Sequence, residues 1–274
     1  MNNLLILDNF IEIFAFYILL FSKSFLGKSI IETKKWHYLV VVFFLLSIYL
    51  YFSRTMLVTF FLVGFSILGY TKITQTTLKF IGLGLLFIGL LYVYLFSIKI
   101  DRNAKGVEAF LYKIKIAPEE IFETKIDREN HKELWDHWRG YEAKRAFSLM
   151  EKQPSSFIFG TGFGSLINLK FKAPVGENDM KYISRIHNGY VFVLYKTGFI
   201  GLLLYLLFLI NLYLKIYKRN SLKELYFTDR LIVSISVFYF FSSLIITGIY
   251  IPIDAVVFIL GGLLTVEKNI ETIT

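Results

Sequence analysis

The chain contains no cysteine. Disulfides, thiolate metal sites and cysteine nucleophiles are thereby excluded, and any catalysis has to use His, Arg, Asp, Glu or hydroxyl groups. The same absence leaves the redox compartment unreadable. Charge is also scarce: charged residues make up 19% of the chain against 55% apolar and 18% aromatic, too few to cover the surface of a soluble domain. No fixed-period repeat is visible, which argues against an inverted-repeat transporter. Nor do the histidines form a zinc pattern, because His131 and His137 lack an ordered third ligand and read as surface residues.

What the chain has is apolar length. Seven runs approach the roughly 20 residues that cross a hydrocarbon core as a helix: residues 4–21, 36–52, 55–70, 78–97, 188–214, 231–250 and 251–266. The third and seventh are short enough to require tilt or partial insertion. The expected fold class is therefore an all-α, polytopic membrane helix bundle. Residues 1–97 form its first helical part, 98–187 one large extracytoplasmic loop domain, and 188–274 its last helical part.

The formal net charge of +9 does not point to nucleic acid. Much of it flanks the apolar runs, where anionic lipid headgroups and membrane orientation account for it. Lys23, Lys28, Lys34 and Lys35 follow the first run, Lys72 and Lys79 the third, and Lys215, Lys218, Arg219, Lys223 and Arg230 the fifth. Counting lysine and arginine in short loops puts these three connections on the cytoplasmic side. Alternation then places Arg54, the long segment and the turn at Tyr250 to Pro252 outside. The N-terminus falls outside as well, without a signal peptide. Either the first run lies flat in the interface, or the chain is the C-terminal part of a longer protein. Asp8 and Glu12 in that run share a helix face, as a functional pair within the membrane or as part of an interfacial helix.

The long segment divides into parts. Residues 98–130 read as a solvated cap, with Pro118, Glu119 and Glu120 as a helix start. Residues 133–152 carry Leu134, Trp138, Tyr141 and Leu149 at helical spacing, with Trp135 beside them, an amphipathic helix suited to a membrane interface. Pro154 ends it. On that helix Arg139 and Arg145 project about 120° apart, so they cannot lie on one narrow line. Gly160-Thr161-Gly162-Phe163-Gly164 follows. Closely spaced glycines let backbone N–H groups converge on an anion such as a diphosphate, and they equally build an ordinary tight turn. Then comes Ser184-Arg185-Ile186-His187-Asn188-Gly189-Tyr190, where polar sequence meets an apolar run of spanning length. A histidine, an arginine and an amide at that boundary are poor lipid contacts and suitable tools for chemistry on a lipid-linked substrate.

In their order, Arg139, Pro154, Gly160-Thr161-Gly162-Phe163-Gly164, His187-Asn188-Gly189-Tyr190 and Gly198-Phe199-Ile200-Gly201 resemble the signature of the O-antigen ligase and O-antigen polymerase family. Ser53-Arg54 before an apolar run resembles the family's serine-arginine at a helix start. The resemblance covers most of the chain after Trp36. Glu142 departs from it, standing where an aromatic residue is common, and the N-terminal part is shorter than in typical members.

The resemblance implies a metal-independent membrane glycosyltransferase in the cytoplasmic membrane, with its site on the outer face. Its substrate would be an undecaprenyl-diphosphate-linked oligosaccharide, and an acceptor glycan would receive the sugar chain. No cofactor and no metal are implied; membrane lipids and a polysaccharide chain-length regulator are the expected partners. Arginines suit a departing lipid diphosphate because their paired N–H donors stay ionised. Arg54 and Arg139 take that role, and His187 that of the base accepting the acceptor's proton. Asn188, Arg145, Arg185, Gly160, Gly162 and Gly164 are the expected substrate contacts. Each has a plainer reading: Arg54 as a helix-end anchor, Arg145 and Arg185 as solvated side chains, His187 as an interfacial hydrogen-bonding residue. Asp254, after Pro252, reads as a helix cap or a further site group. Repeat-unit polymerase is the leading expectation. Ligase, a flippase or export component, and a non-catalytic assembly subunit are the alternatives.

Overall fold

The computed structural model describes residues 9–27, 29–51, 53–101, 105–122, 131–175, 178–218, 222–250 and 255–273. Lys28, Asp8, Arg219, Pro252 and Asp254 lie outside the described residues, so the expectations placed on them have no structural counterpart here. The elements in chain order are α1 (Phe10–Leu26), α2 (Lys34–Tyr51), α3 (Arg54–Ile67), α4 (Gln75–Ser97), α5 (Val107–Phe122), α6 (His131–Asp136), α7 (Trp138–Met150) and α8 (Ser156–Phe159). A hairpin of β1 (Ile167–Val175) and β2 (Asn178–Ile183) follows, then α9 (Gly189–Leu214), α10 (Lys223–Ile245) and α11 (Val256–Ile273). The fold is an all-α membrane bundle, and each of the seven apolar runs carries one of the helices α1 to α4 and α9 to α11. Of these, α4, α9 with the 3-10 turn after it, and α10 are long and apolar enough to cross a membrane.

The chain forms two compact units. The first takes the described residues of Met1–Lys72, Leu204–Leu244 and Gly248–Thr274. Its core is aromatic. Phe14 on α1 is fully buried and meets Phe238 on α10 edge-on at 5.8 Å, while Phe10 meets the same ring at 4.9 Å. Helices α1 and α3 approach closely because Gly64 has no side chain: a Cβ there would lie 2.3 Å from the Tyr17 hydroxyl, which donates to the Phe60 carbonyl at 2.9 Å. Several polar side chains inside this unit are paired across helices, which offsets the cost of burying them away from water. Ser236 donates to the Leu209 carbonyl at 2.7 Å, and Tyr205 and Ser243 share a hydrogen bond of 2.6 Å.

Lys215 and Lys218, just beyond α9, both pair with Glu267, one residue past the seventh apolar run. Burial pushes the Glu267 carboxyl up, but the two ammonium groups outweigh that and hold it below the usual carboxylate range.

The second unit takes Ile73–Leu203 and Ile245–Thr247, again as far as these are described. Within it α4 is nearly bare of protein contacts along its length, the character of a lipid-facing helix. The segment between α4 and α9 differs from the sequence expectation at three places. Pro118 does not start a helix; it lies inside α5. A proline there removes the N–H that the Ile114 carbonyl would accept, and the Tyr92 hydroxyl supplies the missing donor at 3.0 Å. The segment 133–152 is two helices, α6 and α7, separated at His137. Its aromatic stripe faces inward rather than to a membrane interface: Leu134, Trp138 and Tyr141 are buried, and Trp138 and Tyr141 pack on Phe171 of the hairpin at 6.3 and 5.8 Å. The hairpin itself was not expected. Its buried positions Ile167, Leu169 and Ala173 keep the two-residue alternation of a strand with one face covered. The pairing shifts between Asn168 and Ala173, and within that irregular stretch Lys170 adopts a φ of 64°.

Candidate active site

The centre of the second unit's polar cluster is Glu142, a residue that the sequence marks only as a departure from the family pattern. It stands on α7 with 1% of its surface exposed. Its Oε1 accepts from the Trp138 indole N–H at 2.6 Å, and its Oε2 accepts from the backbone N–H of His187 at 2.8 Å. The same Oε2 lies 3.0 Å from His187 Nδ1. His187 is thus held at one edge by a buried carboxylate while 52% of its side chain stays exposed.

The backbone around His187 is fixed from a second direction. Gly189 donates its N–H to the Ile246 carbonyl at 2.9 Å, and Thr247 donates its hydroxyl to the Ile186 carbonyl at 3.1 Å. Asn188 caps α9, its Oδ1 accepting the Val191 N–H at 3.0 Å. Its side-chain oxygen therefore serves the helix start.

Arg139 lies three residues before Glu142, so the two share one side of α7. Its guanidinium pairs with Glu120 of α5, 29% and 10% exposed respectively. Arg145 projects elsewhere, as its helical phase requires: it is buried, and its Nε donates to the Asn168 carbonyl on β1 at 2.8 Å. Tyr141 donates to the neighbouring Leu169 carbonyl, so Arg145 and Tyr141 together dock the hairpin on α7. Arg185 is exposed between β2 and His187. Arg54 belongs to the other unit, in the first turn of α3, which Ser53 caps by accepting the Met56 N–H at 3.4 Å.

The glycine turn and the Gly198 motif prove to be two halves of one device. Helix α9 is broken at Gly198, where φ is 70° and ψ is −171°. A break inside an apolar helix leaves carbonyls without their intrahelical donors, a costly state away from water. The turn supplies replacements: Thr161 N–H donates to the Tyr195 carbonyl at 2.8 Å, and Gly162 N–H to the Lys196 carbonyl at 2.9 Å. The Lys196 ammonium returns the contact, bonding the Phe163 and Ser165 carbonyls. Close approach of these backbones needs glycine on both sides. A Cβ on Gly198 would lie 2.1 Å from the Ile158 carbonyl oxygen, and one on Gly160 2.3 Å from the Lys196 carbonyl oxygen. Both glycines also occupy a region of positive φ with ψ near 180° that is essentially closed to other residues. Gly162 has positive φ with open space around it, and Gly164 has open space as well.

One prediction arises here. Gly198→Ala should destabilise the second unit by about 3 kcal/mol or more, since backbone strain and a backbone clash add. Thermal unfolding of the detergent-solubilised protein measures it, and an unchanged transition would show that the turn does not depend on this junction.

Lys196 is not marked by the sequence, and Glu142, Trp138 and Glu120 are marked only as a departure from the family pattern, part of an apolar stripe and part of a helix start. Only the spacing of Glu142 from Arg139 hinted at a shared face, and nothing local ties it to a histidine 45 positions away. Among the described residues no group of three His, Asp or Glu side chains is arranged to hold a metal ion.

Fold and cluster together define a membrane-embedded helical protein with a buried carboxylate holding a histidine where polar sequence meets an apolar helix. The O-antigen ligase family model matches residues 39–206, more than half of the chain, and the chain belongs to that family. Arg54, Arg139, Arg145, the glycine turn, Arg185, His187 and Asn188 all fall within the matched range. Members of the family are O-antigen ligases and polymerases, glycosyltransferase-like enzymes of surface polysaccharide assembly. Neither a curated protein nor a solved structure matches the chain.

Proposed function

We propose that the protein is a glycosyltransferase of the cytoplasmic membrane that moves a glycan from an undecaprenyl diphosphate carrier to an acceptor sugar, as a repeat-unit polymerase acting on the outer face. The observation that carries this reading is a convergence on α7. Arg139 and Glu142 share a side of that helix, and Glu142 holds His187. One side of α7 thus carries the Arg139 guanidinium, paired with Glu120, and the carboxylate that holds the His187 imidazole at the start of α9.

In the proposed reaction the acceptor hydroxyl attacks the anomeric carbon of the carrier-linked sugar. Its proton passes to His187 Nε2 as the new C–O bond forms. The bond from the anomeric carbon to the phosphate oxygen breaks, and the diphosphate leaves with the electron pair. Direct displacement inverts the anomeric centre. Arg139 stabilises the departing charge with forked N–H donors that remain ionised. For Arg54 the same chemistry is proposed on its serine-arginine resemblance alone.

The remaining residues divide by what their groups are already doing. The N–H groups of Thr161 and Gly162 are engaged by α9, so Gly160 and Gly162 act by fitting the turn to the broken helix, and Gly164 leaves room beside it. Arg145 supports the hairpin, and Asn188 starts α9 behind the base. Arg185, exposed and two positions from His187, is the proposed contact for the incoming glycan. A chain-length regulator is the proposed protein partner.

The test is transfer in vesicles containing the full-length protein and a glycan-loaded undecaprenyl diphosphate. The expected products are free undecaprenyl diphosphate and a lengthened carrier-linked glycan. The family's ligase description favours a second reading, in which the glycan appears instead on added lipid A core. Movement of intact carrier-linked glycan across the bilayer, with no carrier released, would overturn both and leave a transporter.

A further inference from the structure

We infer that Glu142 is a positioning residue for His187, holding the imidazole in the tautomer that carries its proton on Nδ1 and turning Nε2 outward to receive the proton of the acceptor hydroxyl. This rests on the proposed role of His187 as the base.

The argument begins with what each group can do. The indole N–H of Trp138 and the backbone N–H of His187 are donors only, and an ionised carboxylate only accepts. Glu142 takes both donors, one on each oxygen, which fixes the plane of its carboxyl group. The hydrogen in its 3.0 Å contact with His187 Nδ1 then has to come from the ring. A neutral imidazole with its proton on Nδ1 presents Nε2 as an acceptor.

Burial makes this arrangement directional. The Glu142 side chain is 2% exposed and that of His187 52%, so the ring is anchored along an inner edge and open along its outer one. Because the His187 backbone N–H binds the same oxygen as the ring, the swing of the side chain is limited. When the ring gains the substrate's proton, the carboxylate already beside it compensates the new charge without rearrangement.

The surroundings account for a charged group in this position. A buried carboxylate needs several donors to offset lost hydration, and three N–H groups converge on this one. Trp138 is itself buried against Tyr141 and Phe171, so the donor that sets the carboxylate is immobilised by packing. Glu142 therefore touches the base but not the substrate.

The decisive variant is Glu142→Gln, nearly the same shape with an amide in place of one oxygen. At the oxygen that accepts both N–H groups of His187, an amide nitrogen faces the backbone N–H as a second donor and leaves Nδ1 only the acceptor role, moving the ring proton to Nε2, where it blocks proton uptake. In the transfer assay kcat should fall by on the order of 10²–10⁴-fold with KM for the lipid-linked donor nearly unchanged, the signature of an interaction made in the transition state. The ¹⁵N resonances of His187 in the full-length protein, identified by their loss in His187→Ala, should show the proton on Nδ1 in the unaltered chain and on Nε2 in Glu142→Gln. Glu142→Asp, which restores a carboxylate, should transfer faster than the glutamine variant. A kcat within about twofold of the unaltered protein, or a proton on Nε2 in the unaltered protein, overturns the inference; the latter needs no variant to fold. If His187→Ala keeps its activity, the base itself is lost. If His187→Ala is inactive while Glu142→Gln is fully active, only the role of Glu142 falls.

Discussion

His187→Ala should lower the rate of glycan transfer by on the order of 10²–10⁴-fold, the usual contribution of a positioned general base. The fold should survive the change. More than half of the side chain is exposed, so little packing is removed. The backbone N–H that binds Glu142 is retained, as are the Trp138 donor to that carboxylate and the bracing of Gly189 by Ile246. Membrane insertion and the thermal transition in detergent should match those of the unaltered protein, which separates loss of chemistry from loss of structure. Transfer at the original rate would remove His187 from the reaction, and with it the central element of the proposed mechanism.

Arg139→Ala should cost on the order of 10²–10³-fold in transfer, the scale found when one donor to developing negative charge is deleted. Here the structural consequence has to be separated from the chemical one. Losing the guanidinium leaves Glu120, with a side chain only 10% exposed, without this cation. Taking a charged donor away from a mostly buried acceptor costs about 1–3 kcal/mol. The double variant Arg139→Ala with Glu120→Gln lessens that penalty by making the group at position 120 neutral. If Arg139 binds the leaving diphosphate, the double variant recovers thermal stability but not transfer. Recovery of both would make Arg139 a support for α5 and nothing more. Arg139→Lys should fall between the two, because a lysine keeps the charge and loses the planar fork of donors.

The contrast between Arg139 and Arg145 shows how far helical spacing reaches as an argument. Six positions apart on one helix, they were expected to diverge, and they do: one faces Glu120 and the other the hairpin carbonyl of Asn168. That β1 would be present to receive Arg145 was not legible. The sequence from Ile167 to Ile183 is interrupted by a bulge and by Lys170 in the left-handed region, so its two-residue alternation never runs long enough to stand out. Pro118 misled for a related reason. Proline marks helix starts because it lacks a donor, and here a tyrosine from another helix supplies that donor, which no local rule can anticipate.

The glycines carried a double meaning in the sequence, as an anion cradle or as a turn. Their backbone conformations and the carbonyls facing them connect the turn to the break in α9. Two motifs more than thirty positions apart become a single structural statement: a helix interrupted at Gly198 has its open carbonyls filled by a loop that only glycine can bring close enough.

Sequence alone determined the membrane character, the seven helical runs and the family, because hydrophobic length and helical period are local properties that a chain displays before it folds. Tertiary structure alone decided what the candidate site residues meet. A carboxylate's partner depends on which donors packing brings to it, and no spacing along the chain records that Glu142 lies against His187.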